Sequence, residues 1–349
     1  MTRPLRILLV HERFPPDYAG GGEYVVLETA RYLQAAGHAV TVLTAGDPAQ
    51  TSFEGIATTR LPFSRLRFAF AWQQVAHAAR GADIIQCFSY YSIYPAARAA
   101  RQLGKPVVLC VLALFDRIWL DMRGALVGRV MRALERFLMR VPMTARIYLS
   151  DESLALAHAN GLQQVGDQVL APGITLSDYH AAEDKPFILF AGKLDVRKGI
   201  DTVLAAARSM PQVPFRLVGW GPRFAEIAAM CPPNVTLERF QDRLHLAMRL
   251  SQARIFLFPT MAETFGLVVA EAMASGCAIV STSTLPFAGE RIAGGDAKAA
   301  CQAVRALWDD PARCAAAGKL NVERSRAYCW EQHVQQLAAV YRQAIDERP

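Results

Sequence analysis

The stretch that decides the fold reads ETFGLVVAEAMASG from Glu263 to Gly276, directly after the apolar run IFLFP at residues 255–259. An apolar run that ends at proline predicts a buried strand, and the residues after it predict a tight loop and a helix that opens near Phe265 or Gly266. The first amides of a helix have no partner inside it and carry partial positive charge. We therefore expect phosphate or sugar oxygens to bind at this turn, where Gly266 lets a ligand approach the backbone closely.

Two carboxylates, Glu263 and Glu271, bracket this loop and can bind different hydroxyls of one extended ligand. A simpler interpretation makes Glu263 a carboxylate that stabilises the helix dipole and Glu271 a solvated helix residue. The apolar neighbours of Glu271 argue against it, because they predict a buried helix in which an unpaired carboxylate is costly. No partner for Glu271 is evident in the sequence, so we expect a ligand hydroxyl there.

The same residues resemble the Glu-x7-Glu signature of the retaining glycosyltransferases of family 4, which have the GT-B fold. In that family the pattern reads E-x-F-G-x-x-x-x-E-A-M-A-x-G, and each fixed position is present here. The resemblance implies that Glu271 holds the ribose of a nucleotide and Glu263 the hydroxyls of a donor sugar. It also implies that the amides of Phe265, Gly266 and Leu267 line the pocket for the diphosphate and the sugar.

The composition predicts a two-domain protein, because 349 residues, 52% of them hydrophobic, exceed what one core usually holds. The seven cysteines are scattered and include no C-x-x-C pair, so we expect them to be reduced. No signal peptide is expected, because the apolar run at 7–10 is short and charged residues follow it. The longest uncharged apolar run, 106–115, is about half of what a bilayer span needs. We expect a cytoplasmic protein, free or peripheral at the inner face of the cell membrane.

The net charge of +7 predicts an anionic partner, which can be nucleic acid, a nucleotide-linked substrate or an anionic membrane surface. The sequence carries no zinc-finger, RNA-recognition or helix-turn-helix signature. We therefore expect no nucleic-acid partner, and the other two remain.

A glycine-rich loop follows the first predicted strand, at residues 5–10, and GGGE at 20–23 opens a helical pattern. Gly21 and Gly22 thus lie at a helix N-terminus that can accept phosphate, although three glycines are equally consistent with a flexible connection. The G-x-G-x-x-G fingerprint of dinucleotide binding is absent. The segment also resembles the N-terminus of the same family, which implies that this loop approaches the donor diphosphate and the acceptor, with Glu23 as a candidate contact to acceptor or sugar.

One departure from the family follows the strand predicted at 106–112. Many members carry a histidine on the next loop that touches the donor sugar, whereas the residues here are Val111, Leu112 and Ala113. The nearest polar group is Asp116, which is therefore the substitute candidate for contact with the sugar or acceptor. The departure also leaves open a protein that binds a nucleotide sugar without transferring it.

Residues 117–146 contain seven arginines and two acids and predict a basic amphipathic helix. Its apolar residues recur at helical spacing: Trp119, Met122, Leu126, Val130, Leu134, Phe137 and Leu138. We expect this stripe to pack on its own sheet, since such spacing usually marks core residues. Two interpretations remain for the arginines, namely contact with anionic lipid or a solvated surface. The arginines in question are Arg129, Arg132, Arg136 and Arg140.

A second domain is predicted to begin with the strand at 187–191, which runs into GKLDVRKG at 192–199. Lys193 and Lys198 lie five residues apart across a loop at the end of this strand. There they can converge on one diphosphate and neutralise its charge as it leaves. Either lysine alone would be read as an ordinary exposed residue. The run resembles the family's G-R-x-x-x-x-K-G motif with Lys193 in place of arginine, which keeps the charge but loses the planar fork.

Two glycines at strand ends are further candidates for binding the donor. Gly192 opens the motif just described, and VGWGP at 218–222 resembles the family's V-G-x-G-P. The resemblance implies that Gly192 and Gly219 line the nucleotide site, with Gly219 near the base.

Together these features predict an α/β fold of two Rossmann-like domains that face each other across a cleft, which is the GT-B arrangement. We expect domains at 1–180 and 181–327, and a C-terminal helix at 328–349 that crosses back to the first domain.

The resemblance implies retaining transfer of a sugar from a nucleotide diphosphate sugar to an acceptor hydroxyl, with Lys193, Lys198 and Glu263 as catalytic residues. No metal ion and no separate cofactor are expected. The acceptor is lipid-linked if the enzyme serves cell-surface polysaccharide or glycolipid synthesis, and a small soluble metabolite is the alternative. An epimerase or phosphorylase of the same fold and a catalytically impaired nucleotide-sugar-binding protein also remain open.

Overall fold

A computed structural model describes residues 3–17, 20–261 and 263–347. The chain divides into two compact units: Met1–Gly173 with Trp330–Pro349, and Ile174–Cys329. The first boundary therefore precedes the expected 180/181, and the second follows the expected 327/328.

The first unit contains an eight-stranded sheet. Its strands are β1 Arg6–Val10, β2 Ala39–Ala45, β3 Ser52–Phe53, β4 Ile56–Leu61, β5 Ile84–Phe88, β6 Val107–Val111, β7 Ala145–Tyr148 and β8 Asp167–Val169. Their order is β3-β4-β2-β1-β5-β6-β7-β8, and only the β3–β4 pair is antiparallel. β5 and β6 are buried along their whole length, because helices cover both faces of such a parallel sheet. The strands expected at 5–10 and 106–112 are β1 and β6.

The helices of this unit follow the parallel strands in the usual crossovers. They are α1 Gly21–Ala35, α2 Arg65–Phe68, α3 Trp72–Ala79, α4 Ile93–Leu103, α5 Ile118–Arg123, α6 Ala125–Met139 and α7 Asp151–Ala159. The single helix expected within 117–146 is thus two helices, because the chain turns at Gly124, where φ is 76° and ψ is 171°.

The packing expected for the apolar stripe of that segment is largely wrong. Trp119 of α5 is buried, as expected. Four stripe residues of α6, however, are exposed: Leu126, Val130, Leu134 and Phe137. The residues that α6 does bury are Gly128, Glu135 and Met139.

The second unit contains a six-stranded sheet in which each pair of neighbouring strands is parallel. Its strands are β9 Phe187–Lys193, β10 Phe215–Trp220, β11 Val235–Arg239, β12 Ala253–Phe258, β13 Ala278–Ser281 and β14 Gly289–Arg291. Their order is β11-β10-β9-β12-β13-β14, so β9 lies between β10 and β12. The helices are α8 Ile200–Ser209, α9 Phe224–Met230, α10 Arg243–Ser251, α11 Leu267–Ala274, α12 Ala297–Trp308 and α13 Pro311–Ser325.

The last helix, α14 Trp330–Asp346, belongs to the first unit. Trp330 is fully buried there, and its ring stacks on Tyr32 with centroids 5.9 Å apart. A Cβ atom at Gly173 would collide with this indole, so only glycine fits beside it. Nδ1 of His333 lies 2.8 Å from the carbonyl oxygen of Ala171. Burial lowers the pKa of His333 to about 4, so the neutral ring donates this hydrogen bond.

Replacement of Trp330 by alanine should strongly destabilise the first unit. Removal of a fully buried tryptophan usually costs about 3–5 kcal/mol of unfolding free energy. Denaturant unfolding of Trp330→Ala measures this loss. The neighbouring exposed change Glu331→Ala is the control and should leave the free energy within about 0.5 kcal/mol of wild type. Equal stability of the two variants would show that α14 is not an integral part of this unit.

Candidate functional site

The carboxyl ends of β9 and β12 meet at one edge of the second sheet, because the two strands are parallel neighbours. The loop after β9 is fixed to the segment after β12 by its backbone. The carbonyl oxygen of Arg197 accepts hydrogen bonds from the Met261 amide at 2.7 Å and the Thr260 hydroxyl at 3.1 Å. Gly199 has a φ of +69°, and a Cβ atom there would collide with the carbonyl of Pro259. The two loops therefore form one surface.

Lys198 and Glu263 form an ion pair across these two loops. Their side chains are 15% and 26% exposed, so the pair lies at the surface but is partly shielded from water. The ammonium group of Lys198 also lies 5.2 Å from the centroid of the Phe258 ring. Two of the three residues predicted to be catalytic are thus in direct contact.

The third, Lys193, is the last residue of β9 and is exposed. It makes no ion pair with any residue that the structure describes. Beside it, Gly192 and Gly219 pack against each other, since a Cβ atom at Gly219 would collide with the carbonyl oxygen of Gly192. These two glycines therefore have a packing role, and their predicted contact with a nucleotide stays a prediction.

The helix α11 begins immediately after Gly266, which has a φ of 83° and a ψ of 58°. This left-handed conformation favours glycine, and glycine has no side chain to cap the helix. The Val269 amide donates to the carbonyl oxygen of Gly266 at 2.8 Å, and the amide of Leu267, the first helical residue, lies at the helix N-terminus, where an anion is stabilised. Phe265 is buried and packs edge-on against Tyr328, with ring centroids 5.4 Å apart. The helix start predicted near Phe265 or Gly266 is confirmed.

Glu271 is buried on α11 with 1% of its surface exposed. It forms an ion pair with Arg243 at the start of α10. The guanidinium of Arg243 also donates to the hydroxyl of Tyr179 at 2.9 Å. The expectation that Glu271 has no partner within the protein is therefore wrong, because a buried carboxylate at this position is neutralised by a cation 28 residues away in sequence.

In the first unit, Gly20 precedes α1 and Gly21 begins it. Glu23 is buried in its first turn and pairs with Arg13 at 3.6 Å. A Cβ atom at Gly22 would lie 3.2 Å from Cδ1 of Leu112. Leu112 thus packs beside the glycine-rich helix start.

Asp116 is buried, and its carboxylate pairs with Arg132 through bonds of 2.7 and 3.3 Å. A second guanidinium, that of Arg136, lies 3.7 Å away and also bonds to Asn160. Two of the four arginines weighed for lipid contact are thus engaged inside the first unit. The proposed contact of Asp116 with a sugar stays a prediction.

No helix within residues 3–17, 20–261 and 263–347 is long and apolar enough to cross a membrane. Over the same residues, no group of three or more His, Cys, Asp or Glu side chains is arranged to hold a metal ion.

Comparison with known families decides the class of protein. Residues 185–310 match the family described as glycosyl transferases group 1, and residues 20–173 match the glycosyl transferase 4-like domain. The chain is a glycosyltransferase of this family. The first match lies in the second unit and the other in the first unit, and together they cover most of the chain. The family predicted from the motif at 263–276 is thus confirmed.

Among curated proteins, a D-inositol 3-phosphate glycosyltransferase from Mycolicibacterium paratuberculosis is similar to this glycosyltransferase. The two are 28% identical over 229 residues, which is 56% of this chain and 52% of the relative. The chain therefore spans about half the length of the first curated relatives that it matches.

Solved structures share the fold over almost the whole chain. Sucrose-phosphate synthase from Thermosynechococcus elongatus has a TM-score of 0.84 at 22% identity, covering 97% of this chain and 98% of that one. Anabaena HepE in complex with UDP-glucose has a TM-score of 0.79 at 17% identity, covering 97% and 100%. The predicted fold class, a GT-B glycosyltransferase with two α/β domains, is confirmed.

Sequence reasoning missed two features of this glycosyltransferase. One is Arg243, whose only signal was a cation at the start of a helix. The other is a buried polar cluster directly after β1, where Glu12 lies 3.3 Å from both Nδ1 of His11 and the guanidinium of Arg65. Burial lowers the pKa of His11. Polar residues at the carboxyl end of a central parallel strand are the signal that could have indicated this cluster.

The ion pair of Glu271 with Arg243 should contribute to stability as a unit. We expect Glu271→Gln and Arg243→Gln each to lower the free energy of unfolding by about 1–3 kcal/mol, because each leaves one partner of a largely buried pair. The double variant should lose less than the sum. A double-mutant cycle in urea measures the difference, expected to be about 0.5–3 kcal/mol. The more exposed pair Arg313–Glu290 is the control, with a coupling of about 0–1 kcal/mol. Equal couplings for the two pairs would contradict the prediction.

Proposed function

We propose that this glycosyltransferase transfers a sugar, with retention of anomeric configuration, from a nucleotide diphosphate sugar to an acceptor hydroxyl. The observation that carries the proposal is the Lys198–Glu263 ion pair, which lies one loop away from the uncapped start of α11. In this proposal Lys198 and the amides at the start of α11 bind the phosphates of such a donor, and Glu263 binds its sugar hydroxyls. The likeness to Anabaena HepE, crystallised with UDP-glucose, supports a nucleotide sugar as the donor.

The ion pair also suggests how the donor enters. Glu263 and Lys198 neutralise each other in the ion pair. A diphosphate that reaches the start of α11 competes for Lys198, and its arrival releases Glu263 to accept hydrogen bonds from the sugar hydroxyls. Lys193, exposed at the end of β9, supplies a second positive charge. In this proposal the two lysines and the helix amides do what a metal ion does elsewhere, so no metal is needed.

For the chemical step we propose displacement on one face of the sugar. The bond from the anomeric carbon to the phosphate oxygen breaks while a bond to the acceptor oxygen forms on the same face. The departing phosphate takes the acceptor proton. Negative charge grows on the diphosphate during this step, so cations and amides placed there stabilise the transition state more than the bound donor. In the same proposal Glu271, oriented by Arg243, accepts hydrogen bonds from the ribose.

We propose a lipid-linked acceptor, in cell-surface polysaccharide or glycolipid synthesis, and a peripheral location at the cytoplasmic membrane surface. The exposed apolar residues of α6 support this acceptor. A small phosphorylated polyol is the second candidate, supported by the name of the relative that acts on D-inositol 3-phosphate.

The change Lys198→Ala should lower kcat more than donor affinity. Removal of one group that stabilises transition-state charge usually costs about 10²–10³-fold in kcat, and we expect the donor KM to change by less than about tenfold. Steady-state kinetics with a saturating acceptor separates the two parameters. The exposed Lys319→Ala is the matched control and should behave like wild type. A defect confined to KM would make Lys198 a binding residue only.

A thermal-shift screen with nucleoside diphosphates should identify the donor nucleotide. A ligand present at 100 times its Kd stabilises the folded state by about 2.7 kcal/mol. The matching nucleotide should therefore raise Tm clearly above the others, and Glu263→Gln should preserve this shift while lowering the affinity for the complete nucleotide sugar. No shift with any nucleoside diphosphate would overturn the proposed donor class.

A further inference from the structure

The helix α6 presents an apolar face to solvent. Five large apolar side chains on it are between 42% and 78% exposed: Leu126, Val127, Val130, Leu134 and Phe137. Their spacing of about four residues places them along one side of a helix with 3.6 residues per turn. We call these five residues the outer face of α6. A contiguous exposed apolar surface of this kind usually marks an interaction site.

The opposite side of α6 holds the helix to the first unit through polar groups. Glu135 is buried and accepts hydrogen bonds from the amides of Phe115 and Asp116 and from the indole of Trp119, at 3.0, 2.7 and 3.0 Å. Arg132 is held by the carboxylate of Asp116. The polar groups of Glu135 and Arg132 thus face the first unit, whereas the five residues of the outer face point to solvent; Met139, at the end of α6, is the buried apolar residue of this helix.

The contacts of Glu135 and Gly128 fix the rotation of α6 about its own axis. Glu135 would lose its donors if α6 rotated about its axis, and an unsatisfied buried carboxylate is costly. Gly128 also lies directly on the backbone of Trp119, where no larger residue fits. The outer face thus cannot turn inward, and its burial needs a partner from outside.

The charged residues around the outer face indicate the chemical nature of the partner that covers it. Arg129 and Arg140 lie along one edge of it, and Arg117 and Arg123 are exposed on the preceding turn. None of these four forms an ion pair within the described ranges 3–17, 20–261 and 263–347. From residue 117 to 140 the acids are Asp121, which is exposed, and Glu135, which is buried. A partner that combines hydrocarbon with negative charge therefore complements this surface.

We propose that α6 docks the protein on an anionic lipid bilayer. The helix lies in the plane of the interface, its outer face enters the boundary between headgroups and acyl chains, and its exposed arginines contact lipid phosphates. A second copy of the chain fits less well, because a symmetric contact through this face would bring like-charged arginines together. The inference rests on the proposed function only where it assigns a lipid-linked acceptor, since docking would hold the first unit at the surface that carries such an acceptor.

Vesicle co-sedimentation tests the docking, with the full chain and vesicles of phosphatidylcholine alone or mixed with phosphatidylglycerol. Wild type should bind the mixed vesicles at low ionic strength. The triple variant Leu126→Ser, Val130→Ser, Phe137→Ser should bind about a thousandfold more weakly, because burial of each large apolar side chain contributes about tenfold. The double variant Arg129→Gln, Arg140→Gln should bind about thirtyfold more weakly at low salt and depend less on salt than wild type, since Arg117 and Arg123 remain. Val165→Ser, at an exposed loop position of the same unit, is the control and should bind like wild type.

Wild type that ignores mixed vesicles at low salt, or a triple variant that binds them as well as wild type, would overturn the proposal. So would a wild-type dimer that the triple variant converts to a monomer without any vesicle binding. Thermal shifts with nucleoside diphosphates, measured on the same variants, show that each is folded and report on the donor site separately. Loss of vesicle binding with an intact nucleotide shift therefore supports the docking, whereas absence of any nucleotide shift counts against the proposed function alone.

Discussion

The candidate site in the second unit depends on one backbone oxygen, the carbonyl of Arg197. It accepts hydrogen bonds from the amide of Met261 and the hydroxyl of Thr260, so it fixes the loop after β9 to the loop after β12. Lys198 follows this carbonyl directly, and Glu263 lies two residues beyond Met261. The backbone contact thus places the two residues that form the ion pair close to each other. Because one of the two hydrogen bonds joins main-chain atoms, changes of the Lys198 or Glu263 side chain leave that bond between the loops in place.

The secondary structure of the candidate site could be predicted from sequence wherever a local pattern is compatible with only one backbone conformation. An apolar run before Pro259 forms a strand, and Gly266 in the left-handed conformation begins a helix, so the site loop could be predicted from its own residues. The partner of Glu271 could not be predicted in this way. Burial of a carboxylate on α11 requires a cation, but the sequence pattern does not identify that cation. Arg243 reaches Glu271 because α10 packs beside α11 in the folded unit.

The helix α6 shows a second limit of sequence reasoning. Periodicity divides a helix into two faces, and the usual rule turns the apolar face inward. Here the rule fails because Glu135 is bound by amides of a loop about 20 residues earlier, which turns the charged face inward. Hydrogen bonds between distant parts of the chain thus decided the orientation, and no local pattern carries that information. Arg132 and Arg136, which the sequence left as candidate surface charges, pair with Asp116 of the same loop.

The position of α14 has a consequence for synthesis of the chain on the ribosome. The hydroxyl of Tyr341 donates to Gln86, a side chain on β5 that was made 255 residues earlier. Translation proceeds from the N-terminus, so the strands of the first sheet are synthesised before residues 174–329, and α14 is synthesised only after them. The second unit is complete before the first, and its ends meet in the bridge between Ile174 and Cys329. The domain that begins first is therefore the one that finishes last, and during that interval the surface later covered by Trp330 is open to chaperones.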